Sequence, residues 1–212
     1  MIKFIVFKVY KWLQKKKKIK YDRYLPLNEL LIDRSKKAEM LKFGKGTTIH
    51  DSSHVYGDVL VGENTWIGPF TVLDGSGGLL IGSNCSISAG VQIYTHETVN
   101  WAISGGKKPY EYNSVVIEDN CYIGPNSIIQ SGIKIKSGTI VGANSFVNNN
   151  FPKGSKIAGN PAKLIKYRFT PEQIEKLLEI KWWFWDDEKI NKLTPLLCNH
   201  NIDEFIKSAF EM

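Results

Sequence analysis

A 212-residue chain that is 42% apolar and 23% charged has the makeup of one ordinary globular domain or two small ones, which excludes a disordered, collagen-like or many-domain protein. The net charge of +7 sits at one end: residues 1–20 hold eight lysines and no acid, which leaves 20 basic against 21 acidic side chains elsewhere and no spread of positive charge for a nucleic-acid groove. Three cysteines, Cys85, Cys121 and Cys198, are too few and too far apart for a disulfide framework or a paired-cysteine metal site, and they point to a reducing compartment, the cytoplasm.

The first twenty residues put Ile2, Ile5, Val9 and Trp12 or Leu13 at helical spacing, with Lys3, Lys8, Lys11 and Lys15 mostly around the other side. An amphipathic helix is expected. Lysines interrupt its apolar run and no small-residue cleavage site follows, which argues against a signal peptide or a membrane span. Two readings stay open: peripheral contact with an anionic membrane, such as the inner membrane face, or packing of the apolar stripe on its own subunit or a neighbour.

The middle of the chain is periodic. Every sixth residue is aliphatic at Ile49, Val55, Val61, Ile67 and Leu73, then, two residues late, at Ile81, Ile87 and Ile93, and later at Ile117, Ile123, Ile129, Ile135, Val141 and Val147. Four residues after these come small or slender side chains such as Ser53, Val59, Thr65, Thr71, Cys85, Val91, Cys121, Ser127, Thr139 and Ser145. One large and one small inward position per six residues fill a narrow prism. All eighteen glycines fall between Gly44 and Gly159, where tight turns between short strands need them.

The period lapses between Ile93 and Ile117, so residues 97–114 are expected to form a loop thrown out from the prism. Trp101, Tyr110 and Tyr112 in that loop suit stacking on a sugar. After the repeat, Thr170, Pro171 and Gln173 give an N-cap, a first-turn proline and a capping-box partner, and Asp186 or Asp187 and then Thr194-Pro195 are expected to open two further helices. Trp182, Trp183 and Trp185 are expected to pack between these helices and the prism. Three regions follow: residues 1–48, a basic helix and lead-in; 49–152, the repeat with its loop; and 153–212, a turn and helical cap.

Three stretches, IGSNCSISAGVQIYTH, IEDNCYIGPNSIIQSGIKIKSGTIVGANSFV and KIAGNPAKLIKYRF with its tryptophan-rich tail, together resemble the hexapeptide-repeat acyltransferases. The likeness is to the branch that holds chloramphenicol and streptogramin O-acetyltransferases and polysaccharide sugar O-acetyltransferases. The resemblance implies an all-β solenoid, a left-handed parallel β-helix with a capped end, assembled as a homotrimer with its active sites between subunits and with acetyl-CoA as co-substrate. No metal is implied.

His96, at the mouth of the loop, matches the family's catalytic histidine. The chemistry also stands alone: a hydroxyl is a poor nucleophile near neutrality, and a neutral imidazole takes its proton as it attacks a thioester. Asp74, in the LDGSGG break, occupies a place where relatives put a polar group that binds the acceptor or orients the imidazole; Glu97 and Glu111 are further candidates for orientation. Glu97, Trp101, Tyr110 and Tyr112 form the expected acceptor-binding set. Pro125 lacks an N–H, so Gly124 or Asn126 is the expected oxyanion donor. For coenzyme A the resemblance implicates Tyr122, Asn126, Ala143, Asn144, Asn160, Pro161, Ala162 and Lys163, with Lys163, Lys166 and Arg168 for its phosphates. His50, His54 and His200 are left as packing or surface residues, and Cys85 and Cys121 as inward packing. The expected reaction is O-acetylation of a sugar destined for a surface polysaccharide. N-acetylation of a nucleotide-linked amino sugar, O-acetylation of an antibiotic, and a non-enzymatic binding scaffold remain alternatives.

Overall fold

The computed structural model describes residues 2–198 and 201–211. Helix α1 (Ile2–Tyr21) leads through α2 (Leu27–Leu31) and α3 (Arg34–Met40) into a parallel β-helix of about six coils, the architecture of the left-handed class. Helix α4 (Val99–Ile103) lies in the excursion loop. The chain ends in α5 (Pro171–Ile180), a 3₁₀ turn at Trp182–Phe184, α6 (Asp187–Cys198) and α7 (Ile202–Phe210).

Most strands are two residues long, and register carries each coil onto the next. On the first face, Ile49, Ile67, Ile87, Ile123, Val141 and Ile157 stack in successive parallel pairs. On the second face Val55, Leu73, Ile93, Ile129 and Val147 do the same, and on the third Val61, Ile81, Ile117 and Ile135. Thirteen of the fourteen periodic aliphatics are buried, and Val55 is half-buried. The small positions are slender because two inward chains must share a narrow bore. Their hydroxyls also stitch coils: Thr65 Oγ1 donates to the Gly82 carbonyl at 2.9 Å and accepts from the Cys85 N–H at 3.1 Å. A buried hydroxyl with such partners escapes the cost of an unmet polar group.

The parallel stack continues beyond residue 152, because Ser155–Ala158 pairs with Ile140–Val141. Lys163–Tyr167 then turns back antiparallel and closes that face with an exposed edge strand. The helical cap has a separate core of Leu177, Leu193, Ile202, Phe205, Ile206 and Ala209, and Trp182 and Trp185 pack there. These two tryptophans pack on the core of the cap itself, where the sequence led us to expect packing between helices and prism. The capping box at Thr170 forms as expected. Thr194-Pro195 opens no helix: α6 runs through Pro195, and Asp186 caps its start by accepting the Lys189 N–H at 2.8 Å.

Candidate active site

The two residues that delay the repeat after Leu73 build the site. In the LDGSGG break the strand bulges against its neighbour between Gly57 and Val59, and Asp74 is left buried, its side chain 4% exposed. Gly77 is required at this point, since a Cβ there would lie 2.4 Å from the Thr95 carbonyl oxygen. Its N–H donates to Thr95 Oγ1 at 2.8 Å.

Asp74 sits in a nest of donors. Oδ1 accepts the Ser76 N–H at 3.0 Å and the Ser76 hydroxyl at 2.6 Å; Oδ2 accepts the Thr95 N–H at 2.9 Å and meets His96 Nδ1 at 2.6 Å. Burial alone would push this carboxyl upward, but the Ser76 hydroxyl, the Thr95 and Ser76 N–H groups and His96 outweigh it and hold it well below the usual carboxylate range. An ionised Oδ2 at 2.6 Å can only accept a hydrogen bond, so Nδ1 carries the proton in the neutral imidazole and Nε2 the lone pair. The imidazole is one-third exposed and open to an incoming group.

The excursion loop is closed at its base where His96–Glu97 pairs antiparallel with Glu111–Tyr112. That pairing brings two aromatic rings over the imidazole: Tyr110 with its centroid at 6.3 Å and Tyr112 at 6.1 Å. Trp101 meets Tyr110 edge-on at 5.7 Å. His96, Trp101, Tyr110 and Tyr112 are thus brought together. Glu111 is turned away to accept from Asn100, and the imidazole is oriented by Asp74, not by Glu97 or Glu111. Sequence reasoning missed Ser76 and Thr95, which hold Asp74. The signal was present: a serine two residues after an aspartate is the spacing of a side-chain-to-backbone turn.

The residues expected to hold coenzyme A lie elsewhere on the prism. Tyr122 is on the first face, 41% exposed, while Asn126, Ala143 and Asn144 form the corner between the first and second faces, where the Asn144 N–H donates to the Pro125 carbonyl at 2.9 Å. Ala162, buried, donates to the Phe146 carbonyl at 2.8 Å just after Asn160 and Pro161. Lys163 and Lys166 project from the exposed edge strand, and Arg168, also exposed, lies over Phe169. His96 leaves from the corner between the second and third faces. One chain therefore keeps these two groups on different edges.

Gly124 requires correction as the oxyanion donor. Its N–H donates to the Val141 carbonyl at 2.9 Å and that of Asn126 to the Ala89 carbonyl at 2.9 Å, so both are committed to the coil ladder.

His50 and His54 lie apart from this site. His50 is buried, with Nδ1 3.1 Å from Glu29 Oε2 and its ring edge-on to Trp66; burial, followed by Arg34, lowers its pKa. His54 stacks on Tyr56 at the surface, and His200 lies outside the described residues. Cys85 and Cys121 are buried thiols, and the Cys85 sulfur together with burial pushes the Cys121 thiol upward, away from nucleophilic use. Among the described residues no cluster of histidine, cysteine or carboxylate has the makeup of a metal site.

Comparison with known proteins agrees with this architecture. The family model for the bacterial transferase hexapeptide (six repeats) matches residues 114–149. A chloramphenicol acetyltransferase of Klebsiella aerogenes is 35% identical over 145 residues, which covers 58% of this chain and 68% of the relative. A probable macrolide acetyltransferase of Lysinibacillus sphaericus is 39% identical over 92 residues, 43% of this chain and 51% of its own. A hexapeptide-repeat acetyltransferase of Vibrio cholerae solved with acetyl-CoA has a similar fold, with a TM-score of 0.51 at 24% identity over 76% of this chain and 87% of the other.

Proposed function

The chain belongs to the bacterial hexapeptide-repeat acetyltransferases, and from that premise we propose that it moves an acetyl group from acetyl-CoA to a hydroxyl of a sugar unit in surface polysaccharide synthesis, with His96 as general base. The observation that carries this reading is the 2.6 Å contact between His96 Nδ1 and the buried, ionised Asp74. A fixed tautomer with a free Nε2 is what a hydroxyl acceptor requires and an amine, nucleophilic once deprotonated, needs far less.

Acetyl-CoA supplies the activated thioester. As the acceptor oxygen attacks the carbonyl carbon, His96 Nε2 takes the hydroxyl proton and Asp74 stabilises the resulting imidazolium. When the C–S bond breaks, the same proton passes to the departing thiolate. Tyr110, Tyr112 and Trp101 offer the aromatic wall on which a sugar ring stacks, with Glu97 at its rim.

Tyr122, Asn126, Ala143, Asn144 and the Asn160–Lys163 turn are assigned to the coenzyme, with Lys163, Lys166 and Arg168 toward its phosphates. That assignment is chemically consistent: an exposed cationic strand ends the first face, which carries Tyr122 and borders the corner of Asn126, Ala143 and Asn144. Because one chain holds this face and His96 on different edges, the proposal includes a homotrimer in which a neighbour's coenzyme face meets His96. The enzyme is placed in the cytoplasm, with acetyl-CoA at hand and with Cys85 and Cys121 kept as thiols.

A second reading, O-acetylation of an antibiotic hydroxyl, is favoured by the similarity to the Klebsiella aerogenes relative. Thiol release from acetyl-CoA across a panel of sugars, nucleotide-linked amino sugars and chloramphenicol separates these readings. The expected product is a sugar ester cleaved by mild base. Turnover confined to chloramphenicol would select the second reading, and a base-stable amide formed only on amino sugars would overturn both.

A further inference from the structure

Helix α1 carries the one strongly charged segment of the chain, and the catalytic reading makes no use of it. Eight lysines and no acid fall within residues 1–20, against a body of 20 basic and 21 acidic side chains. The helix is fastened on one side only. Gln14, buried, accepts the Leu25 N–H at 3.3 Å, donates to the Leu25 carbonyl and meets Tyr10 Oη at 3.0 Å, while α2 packs beneath.

A stripe of four apolar residues is on the other side. Ile2 is 79% exposed, Trp12 56% and Ile5 54%, and with Val9 they recur at the spacing that lines one helix face. The structure thus leaves the apolar stripe uncovered, contrary to the packing alternative within the subunit. Lysine ammonium groups sit over aromatic rings of the same helix: Lys8 Nζ is 4.5 Å from the centre of Phe4, Lys11 Nζ 4.7 Å from Phe7 and Lys16 Nζ 3.8 Å from Trp12. Lys15 to Lys18 and Lys20 begin three residues after Trp12, so an exposed tryptophan lies close to a cationic cluster.

We propose that α1 docks the enzyme on an anionic lipid bilayer, its Ile2–Ile5–Val9–Trp12 stripe entering the acyl boundary and its lysines meeting the headgroups. Charge complementarity selects this occupant over a second copy of the same helix, where eight lysines would face eight. The helix lies on the surface and does not cross it: no helix among the described residues is long and apolar enough to span a membrane. This inference is independent of the acceptor.

The test is co-sedimentation of the full-length protein with vesicles of phosphatidylcholine alone or with 30% phosphatidylglycerol. Binding is expected on the anionic vesicles, at least tenfold weaker on the neutral ones, and weakened further by raising salt. Ile5→Glu with Val9→Glu should reduce binding at least tenfold while leaving oligomeric mass and acetyl-CoA turnover unchanged, and Lys15–Lys18 changed to Gln should abolish the lipid preference. Equal partition to both vesicle types, no binding to either, or loss of oligomeric mass in the Glu variant would overturn the proposal; the last would make the stripe a subunit interface.

Discussion

Replacing Asp74 by Asn probes the site where it is most constrained. The Asp74 carboxylate serves only donors: Ser76 N–H and hydroxyl on Oδ1, Thr95 N–H and His96 Nδ1 on Oδ2. An amide has one acceptor oxygen, so either Ser76 or the Thr95–His96 side must face an NH₂ group. If the NH₂ faces His96, the imidazole is driven to the other tautomer and Nε2 carries a proton at the moment it is needed as a base. If it faces Ser76, the tautomer survives but no charge balances the imidazolium. Both routes weaken general-base catalysis, which contributes about 10²- to 10⁴-fold, or about 3–5 kcal/mol. Asp74→Asn should therefore lower kcat by at least about 100-fold in a thiol-release assay, with the KM for acetyl-CoA nearly unchanged. Donors facing donors should also cost about 1–3 kcal/mol of stability, read from urea unfolding. Because Asp74 acts through His96, Asp74→Asn combined with His96→Asn should be little worse than either alone. A folded Asp74→Asn protein with kcat within about threefold of wild type would refute the reasoning.

Three further outcomes are expected. Tyr110→Ala removes a ring stacked beside His96 and braced by Trp101; at about 0.5–1.5 kcal/mol for an aromatic contact, the KM for the sugar should rise about two- to tenfold with kcat less affected, and unchanged kinetics on every sugar would remove the aromatic wall from the site. Light scattering should give about three times the 24.0 kDa chain mass, whereas a fully active monomer would sink the shared-site assignment. The folded-state pKa of Asp74 is depressed, so its contribution to stability is complete above the ordinary aspartate value of about 4 and is lost as pH falls below it. The stability gap between wild type and Asp74→Asn should accordingly narrow from pH 6 to pH 3, and a gap constant with pH would contradict the ionised state.

The solenoid was legible because its physics is local and repeated: each coil asks the same two inward positions for the same kind of side chain, so fourteen aliphatics report one prism. His96 and the loop were legible as the place where that demand lapses. Asp74 was visible as a polar residue in a second lapse, but its distance to His96 depends on stacking coils that lie 22 residues apart, which no local pattern encodes. Gly124 failed for a related reason, since its N–H is consumed by a carbonyl of the next coil. Trp182 and Trp185 were legible as packing residues, but an apolar ring carries no label for which core it enters, and the cap has a core of its own. Pro195 marks a helix start by propensity, yet here Asp186 had already capped the helix that runs through it.

The most direct test of the central claim compares wild type with His96→Asn on a sugar acceptor found by the panel, following both thiol release and the acetylated product by mass spectrometry across pH. The account predicts that His96→Asn retains acetyl-CoA affinity, loses about 10²- to 10⁴-fold in kcat and forms the same ester slowly. A variant that makes the ester at the wild-type rate at every pH would contradict it.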